Sequence, residues 1–143
     1  MAYVDTSVLV AYYCPEALSP KVQKLLGGMD ELTISPLVDL ELRSAVGIKV
    51  RTKQLNATDA RRVLAMFQAH LKSSYFRIVA IEGKEYDLAR SWLADFGAGL
   101  RTLDALHLAA AFSNGQTLVT ADRTLARAAK RLGVRRKLIS TRP

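Results

Sequence analysis

Short apolar runs alternate along the chain with longer stretches in which apolar residues recur every third or fourth position. The runs Ala2-Tyr3-Val4, Leu32-Thr33-Ile34, Phe76 to Ile81, Thr117 to Thr120 and Lys137-Leu138-Ile139 read as strands. Between them the period is helical. Val8, Leu9, Ala11 and Tyr12 begin a helix with Thr6 or Ser7 available as its N-cap, and Pro15 stops it soon after Cys14. Ser19-Pro20 opens a second, with Val22, Leu25 and Leu26 apolar, closed by Gly27-Gly28. Ser35-Pro36 opens a third, whose expected core face is Leu37, Leu40, Ser44 and Ala45. Thr58-Asp59 is the expected cap of a fourth, with Ala60, Val63, Leu64, Phe67 and Leu71 as its stripe and His70 on its surface. A fifth, over about 82 to 98, turns Tyr86, Ala89, Trp92, Leu93 and Phe96 inward, with Trp92 read as core rather than as a base-stacking platform.

Residues 100–122, LRTLDALHLAAAFSNGQTLVTAD, organise the rest. Thr102 is the expected N-cap of a helix that carries Asp104 in its first turn, where a carboxylate suits the exposed N–H groups. Leu103, Leu106 and Ala110 recur at helical spacing, Ser113-Asn114-Gly115 is turn chemistry, and the strand that follows leads to Asp122. A last helix buries Leu125, Ala128, Ala129 and Leu132 and closes at Gly133. Strands alternating with helices predict a parallel α/β sheet with helices on both faces, in one domain over 1–143. In such a sheet ligands bind beyond the carboxyl ends of the strands, where Asp5 and Asp122 both fall.

Composition narrows the class. At 143 residues, half of them apolar, the chain can bury a real core. No apolar run approaches the length of a membrane span, no signal-peptide pattern opens the chain, and the single Cys14 asks for no oxidising compartment, so a cytoplasmic protein is expected. All 13 acids lie at or before Asp122. After it come Arg123, Arg127, Lys130, Arg131, Arg135, Arg136, Lys137 and Arg142, which account for the whole net charge of +8. That asymmetry fits either a polyanionic partner or a solvated amphipathic helix.

Two further acids lie on the third helix. Asp39 and Glu41 point to different sides of it; Glu41, between Leu40 and Leu42, is the more enclosed. Asp5 is either a helix cap or a charge that needs pairing or a metal. A haloacid-dehalogenase-like site would need an acid where Ser7 stands. The chain has no Gly-rich phosphate loop, one Cys and two distant His serve zinc poorly, and neither Ser7 nor His107 sits in a nucleophile elbow. His107, three residues after Asp104, reads as a packed, supporting histidine rather than a general base.

The set YVDTSVLV, SPLVDLELRSA, LDALHLAAA and LVTADRTLA, in that order, resembles a PIN domain, and most of all the VapC-type toxins of bacterial and archaeal toxin–antitoxin pairs. The resemblance spans essentially the whole chain. It implies a three-layer α/β/α fold on a central parallel sheet of about five strands. It also implies acids at Asp5, Glu41, Asp104 and Asp122, with Thr120 as the hydroxyl beside the last, Mg²⁺- or Mn²⁺-dependent RNA cleavage, a homodimer, and inhibition by an antitoxin.

Physical chemistry is compatible with that assignment. Four converging carboxylates repel and take up protons unless a cation compensates them, and all-oxygen ligands suit Mg²⁺ or Mn²⁺. Asp5, Asp104 and Asp122 are the expected ligands. Glu41 is a ligand or the acceptor of a water proton, and Thr6, Ser7 and Thr120 are supporting hydroxyls. Arg123, Arg127, Lys130, Arg135, Arg136 and Lys137 are expected to hold the RNA backbone. The competing readings are a catalytically silent RNA-binding or regulatory domain, which leaves four ordered acids without a role, and a receiver domain, which needs an adjacent acidic pair that Tyr3-Val4-Asp5 does not supply.

Overall fold

The computed structural model describes residues 1–142. Five parallel strands, β1 (Ala2–Val4), β2 (Leu32–Ile34), β3 (Phe76–Ile78), β4 (Thr117–Thr120) and β5 (Arg136–Leu138), lie in the order β3-β2-β1-β4-β5. Seven α-helices flank them: α1 (Thr6–Tyr13), α2 (Ser19–Gly27), α3 (Pro36–Arg51), α4 (Ala57–Lys72), α5 (Gly83–Leu93), α6 (Thr102–Ser113) and α7 (Arg123–Arg131). This is the three-layer α/β/α arrangement expected. From β1 the chain steps outward through β2 to β3, then crosses back to add β4 and β5 on the other side. The strand order therefore reverses between β1 and β4, and the crevice at their carboxyl ends is where a ligand fits such a sheet.

Burial follows position. The inner strands β1 and β2 are fully buried, whereas β5, at the edge, is exposed at every residue. Tyr3 pairs in register with Leu118 on one side and Thr33 on the other, locking β1 at the centre. One core cluster joins Val4, Leu9, Leu42, Phe67 and Leu118; a smaller one, Ala89, Ala105, Leu106 and Ala109, lies where α5 meets α6. Trp92 packs against both and meets Phe112 edge-on at 5.7 Å, a core role as expected.

Several boundaries and faces differ from the expectation. The N-cap of α1 is Asp5 rather than Thr6 or Ser7, that of α4 is Asn56 rather than Thr58-Asp59, and that of α6 is Arg101 rather than Thr102. Asp5 and Asn56 win because their side chains accept from Val8 N and Asp59 N. The inner face of α3 is Val38, Leu42 and Val46, while Leu40 is 68% exposed. The fifth helix ends at Leu93, and a separate 3-10 turn over Phe96–Ala98 leaves Phe96 95% exposed, with Tyr86 also outside. Leu103 is exposed too. Strand β3 stops at Ile78, and β5 begins one residue early. His70 is half-buried: its Nδ1 meets Tyr13 OH at 2.5 Å and its ring stacks on Tyr75.

Candidate active site

The carboxyl ends of β1 and β4 converge on one hydroxyl. Val4 pairs with Val119, so Asp5 and Thr120 leave the sheet side by side. Thr120 Oγ1 donates to Asp5 Oδ2 at 2.8 Å and accepts from the Asp122 amide at 2.9 Å. Ser7 Oγ donates to Asp5 Oδ1 at 2.6 Å and accepts from Ala121 N at 2.9 Å. Asp5 is only 4% exposed. Burial pushes its carboxyl above the usual range, although the Ser7 and Thr120 hydroxyls, His107 and the Val8 amide all act the other way.

Glu41 reaches this end of the sheet from α3. Thr6 Oγ1 donates to Glu41 Oε1 at 3.0 Å, and His107 Nε2 bonds the same oxygen. Partial burial works to raise the Glu41 carboxyl, but the His107 bond and charge, with Thr6, outweigh it and hold the group below its ordinary value. His107 is itself buried, its Nδ1 2.9 Å from Tyr3 OH, which in turn lies 2.7 Å from Ser35 Oγ. The expected supporting role of His107 thus has a physical form: a buried chain Ser35–Tyr3–His107–Glu41 that fixes one carboxylate. Sequence reasoning left Tyr3 and Ser35 out. The signal available was Tyr3 itself, since a phenol in a buried strand must find a hydrogen-bond partner.

A cleft of about 670 Å³ opens above these residues, lined by Glu41, Asp104 and Asp122 together with Leu93, Leu100, Arg101, Thr102 and Leu103. In each of the three lining acids one oxygen is tied to the protein. Asp104 Oδ2 accepts from Arg101 N at 3.3 Å, and Asp122 Oδ1 caps α7 through Thr124 N and Leu125 N. Their other oxygens, with Glu41 Oε2, take no protein hydrogen bond among the described residues. Asp5 lies behind this wall with both oxygens already bonded. Asp39, by contrast, pairs with Arg43 at 2.8 Å, half exposed on α3.

This donor set is all oxygen and suits a hard divalent cation rather than zinc. Among the described residues no three Asp, Glu, His or Cys side chains are drawn tightly enough together to enclose an ion. The fit is therefore one of chemistry: three anchored carboxylates that line one cleft, each with one oxygen free of protein donors among the described residues.

The expected cations divide around the edge strand. Arg123, Arg127, Lys130 and Arg136 line a groove of about 570 Å³ between α7 and β5. Lys137 lies on the other face of β5, beside Lys21 and Lys24. The Arg135 guanidinium is engaged with the Gly115 carbonyl, in the turn before β4 and so at the opposite end of the sheet from Asp122.

The PIN domain family model matches residues 2–131. Among curated proteins none matches the chain. Solved structures do. FitAcB from Neisseria gonorrhoeae is 21% identical over 95% of this chain and 96% of its own, with a TM-score of 0.68. VapBC2 from Rickettsia felis, solved bound to a DNA fragment from its promoter, is 21% identical over 98% and 100%, also at 0.68. VapC20 from Mycobacterium tuberculosis, a sarcin-ricin loop cleaving toxin, is 17% identical over 90% and 95%, at 0.70. At these identities the likeness is one of fold. The family match over nearly the whole chain carries the assignment: the chain belongs to the PIN domain family.

Proposed function

We propose that the protein is a metal-dependent endoribonuclease and the toxin of a toxin–antitoxin pair. The observation that carries the reading is the shared cleft lined by Glu41, Asp104 and Asp122, each with one oxygen free of protein donors among the described residues, and joined through Thr120 to the buried Asp5. Asp5, Asp104 and Asp122 would hold Mg²⁺, or Mn²⁺. Each carboxylate oxygen has two acceptor sites, so Asp5 Oδ2 can keep Thr120 and still face a cation. Such an ion supplies acidification of a bound water and charge compensation at the phosphate.

The chain's own residues do the rest. Glu41 Oε2 accepts the proton of the attacking water, because His107 and Thr6 hold the other oxygen and keep the carboxylate ionised. Asp122 is fixed by its cap bonds to α7, and Thr120 ties it to Asp5, so one hydroxyl joins the acids that follow β1 and β4. Arg123, Arg127, Lys130 and Arg136 bind successive phosphates, and Arg135 and Lys137 extend the basic surface around β5. These contacts position RNA without reading its bases.

An antitoxin partner is supported by the structural neighbours, which include VapBC assemblies from Rickettsia felis and Salmonella typhimurium and a toxin–antitoxin complex from Klebsiella pneumoniae. A homodimer would use the apolar cleft lined by Leu37, Leu40, Ile81, Tyr86 and Leu106, where Leu40 and Tyr86 are otherwise left in water. No helix among the described residues is long and apolar enough to cross a membrane, and the cytoplasm, where RNA is abundant, is the proposed site of action.

One observation favours a second reading, a catalytically silent RNA-binding domain: Asp5 satisfies both its oxygens without any ion. Mapping RNA ends after a brief pulse of expression separates the two. The enzyme leaves new 5′-phosphate and 3′-hydroxyl ends within minutes, as water attack with a departing 3′-oxygen requires. A silent domain leaves none above the Asp104→Asn control.

A further inference from the structure

Seven of the residues lining the acidic cleft are acidic, apolar or hydroxylic, and the remaining one is Arg101. Its backbone is fixed at the mouth of α6. Arg101 N donates to Asp104 Oδ2 at 3.3 Å, and its carbonyl accepts from Ala105 N at 3.0 Å. The side chain is not fixed. It is 85% exposed, its nearest carboxylate oxygen is 3.8 Å away on Asp104, and the guanidinium makes no hydrogen bond among the described residues.

Several other arginines of this protein are spoken for. Arg131 bonds Asp95 through two nitrogens at 2.9 and 3.1 Å, Arg43 bridges Asp39 and Gln68, and Arg135 is engaged with Gly115. Arg101 therefore has a rooted base and an idle head near Asp104, in a cleft that Glu41 and Asp122 also line. Such a cleft repels a phosphodiester, and a cation at its rim meets that repulsion where the strand must enter. A guanidinium suits the task better than an ammonium, because its planar fork matches two non-bridging phosphate oxygens and stays charged at any working pH.

We propose that Arg101 is a phosphate-contacting residue of this cleft, releasing its loose approach to Asp104 to grip the phosphodiester lying over the acids. The proposal rests on the nuclease reading and adds to it a residue outside both the acid set and the basic groove on β5.

The test uses the full chain with Arg101→Ala and Arg101→Lys, and a short single-stranded RNA as probe. In chelator, where no cleavage occurs, the affinity of Arg101→Ala should fall, and the slope of log affinity against log salt should flatten by about 0.7, the loss of one phosphate contact on a single strand. With Mg²⁺, kcat should drop by roughly two to three orders of magnitude, the scale of losing a donor to developing charge, and Arg101→Lys should recover part of it. The melting midpoint should not move, because the contact with Asp104 is long and exposed. An unchanged salt slope overturns the proposal, and so does a lowered melting midpoint without a change of slope, which makes Arg101 a structural partner of Asp104. If wild-type protein cleaves no RNA but the slope still flattens, the nuclease reading fails while the phosphate contact stands.

Discussion

Thr120 donates to Asp5 at 2.8 Å while receiving the Asp122 amide at 2.9 Å, so one hydroxyl on β4 joins the acid that follows β1 to the acid that opens α7. Thr120 is fully buried and Asp5 is 4% exposed, so the Asp5 oxygen cannot turn to water if the hydroxyl is lost. Thr120→Val keeps the shape and strands that oxygen, which should cost about 1–3 kcal/mol of stability. Thr120→Ser should recover most of it. Urea unfolding of the two variants checks this: a loss in Thr120→Ser as large as that in Thr120→Val would mean that the methyl matters as much as the hydroxyl, and no loss in Thr120→Val would mean that the hydroxyl contributes nothing.

Asp5 gives the fold an acid-dependent stability with a definite sign. Its folded-state carboxyl is raised above its unfolded value, mainly by burial. The group therefore favours the folded state at low pH, and that contribution is lost as pH rises from the ordinary aspartate value through the raised one. Asn cannot titrate, and its amide can still cap α1 and face Thr120. In metal-free protein, the melting midpoint of Asp5→Asn minus that of wild type should become more positive between pH 4 and pH 7. A difference that shrinks over the same range would contradict the raised carboxyl.

Glu41 runs the other way. His107 and Thr6 hold it below its ordinary value against the pull of burial, so its stabilising contribution is complete above the unfolded value and is lost as pH falls through the lowered one. His107→Gln keeps a donor but no positive charge. It should move the acid limb of the pH–rate profile upward and lower the melting midpoint at neutral pH. An acid limb that stays in place would remove Glu41 as the proton acceptor.

The basic groove has a graded expectation. Replacing Arg123, Arg127 and Lys130 with Gln should weaken RNA binding across sequences and flatten the salt slope by roughly two, at about 0.7 per single-strand phosphate. Arg135→Gln alone should do much less, because that guanidinium is already engaged with the Gly115 carbonyl. Filter binding at several salt concentrations distinguishes the two.

The strands and their parallel arrangement are legible in the sequence because they rest on local pattern: short apolar runs alternating with helical periods, each helix opened by capping residues. What failed were features decided by partners far along the chain. On α3 both sides carry apolar residues, so Leu37 and Leu40 matched a helical stripe as well as Val38, Leu42 and Val46, and only the surrounding helices and sheet choose between them. Phe96 continues an apparent period that the chain breaks at Ala94, where the helix has already ended, whereas Tyr86 lies within α5 on its exposed side. At Asp5 the sequence fits a cap or a site residue, and the side chain caps α1 while accepting from Thr120. The chain Ser35–Tyr3–His107–Glu41 joins residues more than 30 positions apart, which no window along the sequence brings together.

The most direct test of the proposed chemistry is cleavage of a defined single-stranded RNA by the purified full chain, measured after chelator treatment and again on adding back Mg²⁺ or Mn²⁺, with Asp104→Asn run alongside. The cleft of anchored carboxylates predicts no cleavage in chelator, restoration by either ion in the wild type, and loss of at least about 100-fold in the variant, the scale expected when charge stabilisation at the reacting phosphate is lost. Cleavage that persists in chelator, or a variant that cuts as fast as wild type, would contradict it.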